Sequence, residues 1–253
     1  HNGGTFGDTG DNQDNRYQDL YFGGDFGKIS LGKGDGAGNG ATEVDLSGTA
    51  LSSSSNHQDN WGGYQIAPGV RFGSVFTMFD SLSRQNRVRY DTPNFSGISL
   101  AGSYGQASSY ELAARYKGDA GDTKIGAAIF YAYTGDIDED NDGADRFGGS
   151  ASVLLGMGLN LTVAYSESEP DGGDKADALT GKIGFKTGMH AFAVDYGTSE
   201  NSAGAEGETI GATYSVTPYK GVEIFGTYRQ LDSDKVDDSE SVDLFAVGSR
   251  IKF

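Results

Sequence analysis

The stretch RQNRVRYDTPNFSG, residues 84–97, alternates charged with apolar or aromatic side chains before a turn signal. Arg87, Arg89 and Asp91 fall on every second position, which is the period of a β-strand whose two faces have different surroundings. In a water-soluble sheet the apolar face would pack inward and the arginines would be solvated. The reverse arrangement would point the arginines into an enclosed, water-filled space. The rest of the sequence favours one of these two arrangements.

The amino-acid composition favours a chain of many strands and excludes several classes of protein. The 253 residues include 41 Gly, 14 Tyr and 14 Phe but only 4 Pro, which suits many strands joined by tight turns. Cysteine is absent, which excludes a disulfide framework, a cysteine zinc cluster and a thiol nucleophile. A net charge of -17 argues against a nucleic-acid partner. No run approaches the ~20 apolar residues of a membrane helix, but a membrane strand needs only ~9–11 residues with every second one apolar.

Period-two alternation recurs along the whole chain. It is clear in SYELAARYKG (109–118), TKIGAAIFYAY (123–133), LNLTVAYS (159–166) and VEIFGTYRQ (222–230). A soluble β-sandwich would show the same alternation. The apolar faces here often end in tyrosine, which suits a membrane interface, and the opposite faces are rich in Gly, Ala, Ser and Thr. These features favour a barrel with a lipid-facing exterior.

Connection lengths also alternate. Short turns are predicted at 24–27, 94–97, 118–122, 156–158, 186–188 and 218–221. Longer loops are predicted at 34–83, 134–145, 167–177, 199–207 and 232–241, with the short connection 106–109 as an exception. Short turns on one rim and long loops on the other are typical of an outer-membrane barrel.

The alternation predicts the number of strands and the residues that face lipid. About thirteen strands are predicted, at 16–23, 27–33, 85–92, 98–105, 110–117, 123–133, 146–155, 159–166, 178–186, 190–198, 208–217, 222–231 and 242–253. The predicted lipid-facing belt contains Tyr90, Leu112, Ile129, Val163, Ile224 and Phe253. The fold class is therefore an all-β, transmembrane antiparallel β-barrel.

Three segments and the C-terminal residue carry a family resemblance. FGKISLGKG (26–34), ATEVDLSGT (41–49) and NRVRYDTPNFSGISLAGSYG (86–105), with the terminal aromatic Phe253, resemble the Gram-negative general porins. The resemblance implies a sixteen-stranded barrel whose third extracellular loop folds inward. Residues 1–253 would then be a single barrel domain lacking its first three strands, and residues 34–83 would be its constriction loop. A genuine barrel of twelve or fourteen strands is the rival interpretation.

The resemblance also implies a function and a location. We expect a non-enzymatic channel of the bacterial outer membrane that passes small hydrophilic solutes and ions by passive diffusion. The family is trimeric, so a homotrimer in contact with outer-membrane lipid and lipopolysaccharide is expected. The alternatives are a substrate-selective porin for anions or organic acids and, from a different class, an outer-membrane adhesin or enzyme barrel.

Five residues are the candidate pore constriction. Arg87, Arg89 and Arg115 would form a positive strip on the wall, and Glu43 and Asp45 of the loop would face it. Asp35 and Asp59 are additional loop candidates. The alternative is that the arginines only brace the loop and that the carboxylates belong to a solvated acidic loop. If the arginines face the pore, we expect weak selectivity and a shift toward cations when Arg87 and Arg89 are neutralised together.

Metal and cofactor signals are weak. Asp138, Asp140 and Asp142 have the spacing of the first half of a calcium loop, but Gly149 stands where a bidentate Glu is required. Calcium bound at this acidic loop and bridging lipid phosphates is the alternative that remains. His57 and His190 have no spacing that suggests a metal site, and no cofactor is expected.

Overall fold

The computed structural model describes residues 17–53, 55–82, 84–135, 143–233 and 240–252. Thirteen strands form one antiparallel sheet in which each strand pairs with the next strand of the sheet along the chain. Its strands are β1 (Gln18–Gly24), β2 (Gly27–Gly34), β5 (Gln85–Asp91), β6 (Ile98–Gly105), β7 (Tyr110–Ala120), β8 (Thr123–Thr134), β9 (Ala144–Leu154), β10 (Leu159–Pro170), β11 (Ala176–Thr187), β12 (His190–Glu200), β13 (Glu206–Tyr219), β14 (Val222–Asp232) and β15 (Val242–Ile251). The predicted number of strands is confirmed.

The two faces of the sheet differ as the alternation predicts. The predicted lipid-facing side chains of Tyr90, Leu112, Ile129, Val163 and Ile224 are all large and exposed. Most of their strand neighbours on the other face are small or polar and are buried or partly buried, and Phe130 and Phe225 are the large apolar exceptions. Phe253, the sixth member of the predicted belt, lies outside the described residues. An exposed apolar face over so many strands is what a lipid-facing barrel wall requires.

Two of the predicted long loops are shorter in the structure. β10 continues to Pro170 and β11 begins at Ala176, while β12 reaches Glu200 and β13 begins at Glu206. The prediction stopped each strand where apolar residues stopped, but the backbone ladder continues through alternating polar residues such as Glu167, which pairs with Asp177. Hydrogen bonds between neighbouring strands do not need an apolar face, so strands project beyond the apolar belt.

The sheet has two edges among the described residues. At one edge β1 pairs with β2, and at the other edge β15 pairs with β14. No hydrogen-bonded ladder joins β1 to β15. The sixteen strands expected for the full protein therefore stay a prediction. No helix in the described ranges is long and apolar enough to cross a bilayer.

One long connection, residues 35–82 between β2 and β5, is called the crossing segment below. It contains helix α1 (His57–Trp61), strands β3 (Gln65–Ala67) and β4 (Val70–Arg71), which pair with each other, and a 3-10 turn at Phe72–Ser74. In the described ranges it packs on the polar face of the sheet in three apolar clusters, the smallest of which joins Met78 to Ala164 and Ala178. Of the two larger clusters, one joins Ala41 and Leu82 to Phe130, and the other joins Trp61, Phe72 and Phe76 to Leu231.

Candidate pore constriction

Serine side chains of the wall hold the crossing segment by its backbone. The Val44 and Leu46 N–H groups donate to Ser150 Oγ and Ser152 Oγ at 2.9 and 3.0 Å. Equivalent bonds run from Ala37 to Ser103 (2.9 Å), from Thr77 to Ser199 (3.1 Å) and from Phe79 to Ser166 (2.9 Å). These hydroxyls satisfy amides that have no ladder partner, and they account for the small polar side chains on this face.

Two glycines let the segment approach the wall at Glu111. The Gly38 N–H donates to Glu111 Oε2 at 2.5 Å, and a side chain at Gly36 would place its Cβ 1.8 Å from Glu111 Oε1. A larger residue at Gly36 would have to displace the Glu111 side chain.

The three predicted arginines all point to the start of the crossing segment. Arg87 donates to the carbonyls of Asp35 (2.9 Å) and Gly32 (3.0 Å) and pairs with the Asp19 carboxylate (2.9 Å). Arg89 donates to Gly36 O at 2.5 Å.

Arg89 also pairs with Asp91 at 2.7 Å. Arg115 Nη2 donates to the carbonyls of Ala37 and Asn39, both at 2.8 Å. The structure thus brings the three arginines together as a ladder that supports the segment, which is the bracing alternative raised by the sequence.

The two predicted carboxylates lie in different surroundings. Asp45 is buried and pairs with Lys182 of β11, far along the sheet from the arginine ladder. Glu43 accepts a hydrogen bond from Asn56 Nδ2 at 3.2 Å. Burial, with a smaller contribution from the Asp80 carboxylate, raises the pKa of Glu43. Of the two, Glu43 keeps an exposed surface in a polar cleft described below, and Asp45 belongs to an internal ion pair.

A second buried charge cluster was missed by sequence reasoning. Asp195 of β12 and Arg229 of β14 pair at 2.8 Å on the polar face, and His57 of α1 lies against them with Nε2 3.4 Å from Asp195 Oδ1. The Ser53 hydroxyl donates to Asp195, and the Trp61 ring lies 5.6 Å from the Arg229 guanidinium. Alternation alone places Asp195 and Arg229 on the inner face, but nothing in the sequence shows that they meet.

Burial, and then the positive charges of Arg229 and Lys182, lower the pKa of His57 well below its usual 6.5. The ring is therefore neutral at physiological pH, and it is fully buried between helix α1 and the wall.

A polar cleft of about 470 Å³ lies between the crossing segment and the wall. Its charged lining is Asp35, Glu43, Asp59, Asp80, Arg84 and Arg146. Burial and the neighbouring Asp59 raise the pKa of Asp80, against the opposing effect of a hydrogen bond from the Gly40 N–H. The cleft leaves a space between the segment and the wall that is lined by charges of both signs.

In the described ranges, no group of three or more His, Asp or Glu side chains is placed so that it could hold a metal ion. The candidates Asp138, Asp140 and Asp142 lie outside those ranges, so calcium binding stays a prediction.

Comparison with known proteins then gives the family. A sequence model of the Gram-negative porin matches residues 2–236. The chain belongs to the Gram-negative porin family. The porin is accordingly a transmembrane β-barrel of the bacterial outer membrane, as predicted.

Solved structures share the fold of this porin. The anion-selective porin from Comamonas acidovorans aligns with 92% of this chain and 75% of its own, with 15% identity and a TM-score of 0.57. The trimer form of OmpT from Vibrio cholerae aligns over 93% and 80%, with 16% identity and a TM-score of 0.54. OccD3 from Pseudomonas aeruginosa aligns over 66% and 56%, with 14% identity and a TM-score of 0.51. A comparison with curated protein sequences gives no match for the porin.

Proposed function

We propose that this porin is a passive diffusion channel for small hydrophilic solutes and ions, and that the crossing segment forms its constriction. The observation that carries the proposal is the path of this segment across the polar face. It is hydrogen-bonded to Ser103 of β6 near one end and to Ser199 of β12 near the other. A segment that joins distant parts of the wall on the face away from lipid narrows the passage through the barrel.

The polar cleft is the proposed passage. Four carboxyl groups of the crossing segment line it together with Arg84 and Arg146. Opposed charges across a narrow aqueous space orient dipolar solutes and disfavour apolar ones that cannot replace their hydration. This supports a non-enzymatic channel for polar solutes, in agreement with the family.

A substrate-selective porin for anions is the second candidate, since the Comamonas protein is described as anion-selective. That likeness supports the fold alone, because the identity is 15%. The arginine strip that would bind anions here is occupied by backbone carbonyls of the crossing segment. The geometry therefore gives the anion-binding candidate less support, and nothing in the described residues favours an adhesin or an enzyme.

We extend the proposal to a homotrimer in contact with outer-membrane lipid and lipopolysaccharide. The support is the trimer form of the Vibrio cholerae OmpT, which shares the fold. The exposed apolar exterior is compatible with both lipid and subunit contacts.

A cysteine-accessibility experiment tests the channel and the place of its constriction. The chain has no cysteine, so Asp59→Cys introduces a unique thiol at an exposed position of the cleft. In planar bilayers we expect single-channel conductance that falls when a bulky methanethiosulfonate reagent modifies this thiol. The matched control is Glu169→Cys, whose side chain is exposed on the lipid-facing side of β10. Equal block in both variants would place the passage elsewhere.

A further inference from the structure

A second pocket on the polar face lies at the opposite rim of the wall from the cleft. Its volume is about 270 Å³, and it lies between Asp45 and Gly48 of the crossing segment and the strands β11, β13, β14 and β15. Its wall residues stand beside the short turns that follow β11 and β13, whereas Arg146 of the cleft stands at the start of β9, after a long connection. The crossing segment lines both spaces, so it lies between the cleft and this pocket, which is called the basic pocket below.

Cations outnumber carboxylates at the basic pocket. Three cations and two carboxylates line it, namely Lys186, Arg250, Lys252, Asp45 and Glu223. Both carboxylates are already paired, because Asp45 binds Lys182 and Glu223 binds Arg250 at 2.7 Å. With Lys182 included, four cations face two carboxylates, and the unpaired positive charges are those of Lys186 and Lys252.

The ammonium groups of these two lysines have no protein acceptor. Within the described ranges, neither Lys186 nor Lys252 takes part in an ion pair or a side-chain hydrogen bond. Their positions are nevertheless held. A Cβ added at Gly48 would lie 3.4 Å from Lys186 Cδ, so the segment runs close to the hydrocarbon stem of this lysine. The Lys252 N–H donates to Gly221 O at 2.8 Å.

A covered donor gives an independent indication of a ligand. Arg250 Nη2 donates to Glu223, but Arg250 Nε is buried and has no hydrogen-bond acceptor among the described residues. A covered donor without an acceptor costs free energy. An oxyanion seated at Arg250 would supply this acceptor, and the hydroxyl of Thr217 in the same lining is a further donor.

These donors match a small phosphate-type oxyanion. Ammonium groups bind phosphate as point charges, and a guanidinium or a hydroxyl donates to the same kind of oxygen. The pocket is smaller than the ~300–1,000 Å³ of sites that hold drug-sized ligands, so its ligand is small. Glu223 and Arg250 alternate along their strands with the lipid-facing Ile224 and Ile251. The pocket therefore faces away from lipid and meets solutes rather than lipid headgroups.

We propose that the basic pocket binds inorganic phosphate or a small phosphate monoester, with Lys186 and Lys252 as the main ligands and Arg250 and Thr217 as further donors. The site is separate from the arginine ladder, whose guanidinium groups are bonded to backbone carbonyls. It goes beyond the proposed function, because binding here does not require that solutes pass through the cleft.

Calorimetric titration of the whole porin in detergent micelles tests the site. Inorganic phosphate is added in a phosphate-free buffer at constant ionic strength, and chloride is titrated in the same way. We expect saturable binding of one phosphate per chain. Lys186→Met/Lys252→Met should weaken it about tenfold or more, because hydrogen bonds between ionised groups are about twice as strong as neutral ones.

The matched control removes the same charge from the same face. Lys28 and Lys117 lie on the polar face beside the short turns between β1 and β2 and between β7 and β8. Lys28→Met/Lys117→Met should leave the affinity for phosphate unchanged. Equal weakening in the two double variants would overturn the site, since phosphate would then respond only to the net charge of the chain.

A third variant should strengthen binding, which misfolding cannot imitate. Glu223→Gln removes a carboxylate from the lining and releases the Arg250 guanidinium, so the affinity should rise about 3- to 10-fold. A lower affinity in this variant would overturn the part assigned to Arg250. Chloride bound as tightly as phosphate, or no saturable phosphate binding by the wild type, would overturn the whole inference and leave the channel standing. A porin that binds phosphate but conducts nothing in planar bilayers would overturn the proposed channel function instead.

Discussion

Arg229 Nη2 lies 2.8 Å from Asp195 Oδ1, and both side chains are almost fully buried beneath the crossing segment. Arg229 also donates to Thr209 Oγ1 of β13 at 2.9 Å. The segment adds Ser53, His57 and Trp61 to this pair. The wall therefore supplies a desolvated ion pair, and the segment supplies the groups that shield it from water. Docking of the segment and burial of the pair depend on each other.

Arg229→Met removes the cation and leaves the Asp195 carboxylate buried without its partner. We expect a loss of about 3–5 kcal/mol in the free energy of unfolding, because an uncompensated buried charge is costly. Urea unfolding in lipid vesicles measures this change. The double variant Arg229→Met/Asp195→Leu should recover most of the loss.

The control Arg250→Met, which breaks a more exposed pair with Glu223, should cost about 0–1 kcal/mol. Equal losses for Arg229→Met and Arg250→Met would contradict this prediction.

His57 should make docking of the crossing segment weaker at acid pH. Its pKa in the docked state is depressed below 6.5 by burial and by Arg229 and Lys182. The Asp195 carboxylate lies 3.4 Å from its Nε2. When the segment lifts away, the ring regains its ordinary pKa and takes a proton below pH 6.5. Docking is therefore unaffected above that pH, and it loses up to about tenfold in its equilibrium constant per pH unit below it.

Hydrogen exchange measures the effect of His57. Opening of residues 55–62, corrected for intrinsic exchange, should increase from pH 7.5 to pH 5.5 in the wild type and should increase less in His57→Gln. An identical pH dependence in both proteins would show that another group titrates.

The ion selectivity of the proposed channel should shift toward anions on acidification, through the cleft carboxyls. Burial raises the pKa of both Glu43 and Asp80, so these groups gain protons at a higher pH than ordinary carboxyls do. Protonation removes negative charge from the cleft, and the reversal potential in a salt gradient should move toward the anion side as pH falls. Glu43→Gln/Asp80→Asn should flatten this dependence. If the wild type and the double variant share one titration midpoint, these two carboxyls are not the source of the pH dependence.

Gly36→Ala should displace the start of the crossing segment. The added Cβ would lie 1.8 Å from Glu111 Oε1, and the Gly38–Glu111 hydrogen bond holds the chain at that point. We expect a loss of about 1–3 kcal/mol, as overpacking usually costs. The control Gly63→Ala lies in the same segment, where a Cβ meets nothing within 4 Å. Thermal unfolding of the two variants compares them, and equal midpoints would mean that Glu111 moves aside without cost.

Arg87→Met/Arg89→Met should loosen the segment more than it changes selectivity. Their guanidinium groups donate to the carbonyls of Asp35 and Gly36, so their loss frees the beginning of the segment. We expect larger open-channel current fluctuations and a small change in reversal potential. A large shift toward cations with unchanged fluctuations would instead assign the two arginines to conduction, which is the role first expected from the sequence.

Much of the architecture could be predicted from alternation alone. Thirteen strands, their order and the outward direction of residues such as Leu112 and Val163 follow from a period of two, because successive side chains in a strand must point to opposite faces. The same rule placed Arg87, Arg89 and Arg115 on the inner face. It failed at strand ends such as Glu200, where apolar residues stop but the hydrogen-bonded ladder does not.

The sequence by itself determined which face each strand residue occupies, and it predicted that a long segment interrupts the strands at residues 34–83. Only the tertiary structure decided which charges meet. Asp45 pairs with Lys182, and the arginine ladder binds carbonyls rather than carboxylates of the cleft. The physical reason is that alternation is a local property of the backbone. The partner of a buried charge depends instead on where a connection without regular periodicity lies across a curved wall, and that path is fixed by contacts between residues far apart in the chain.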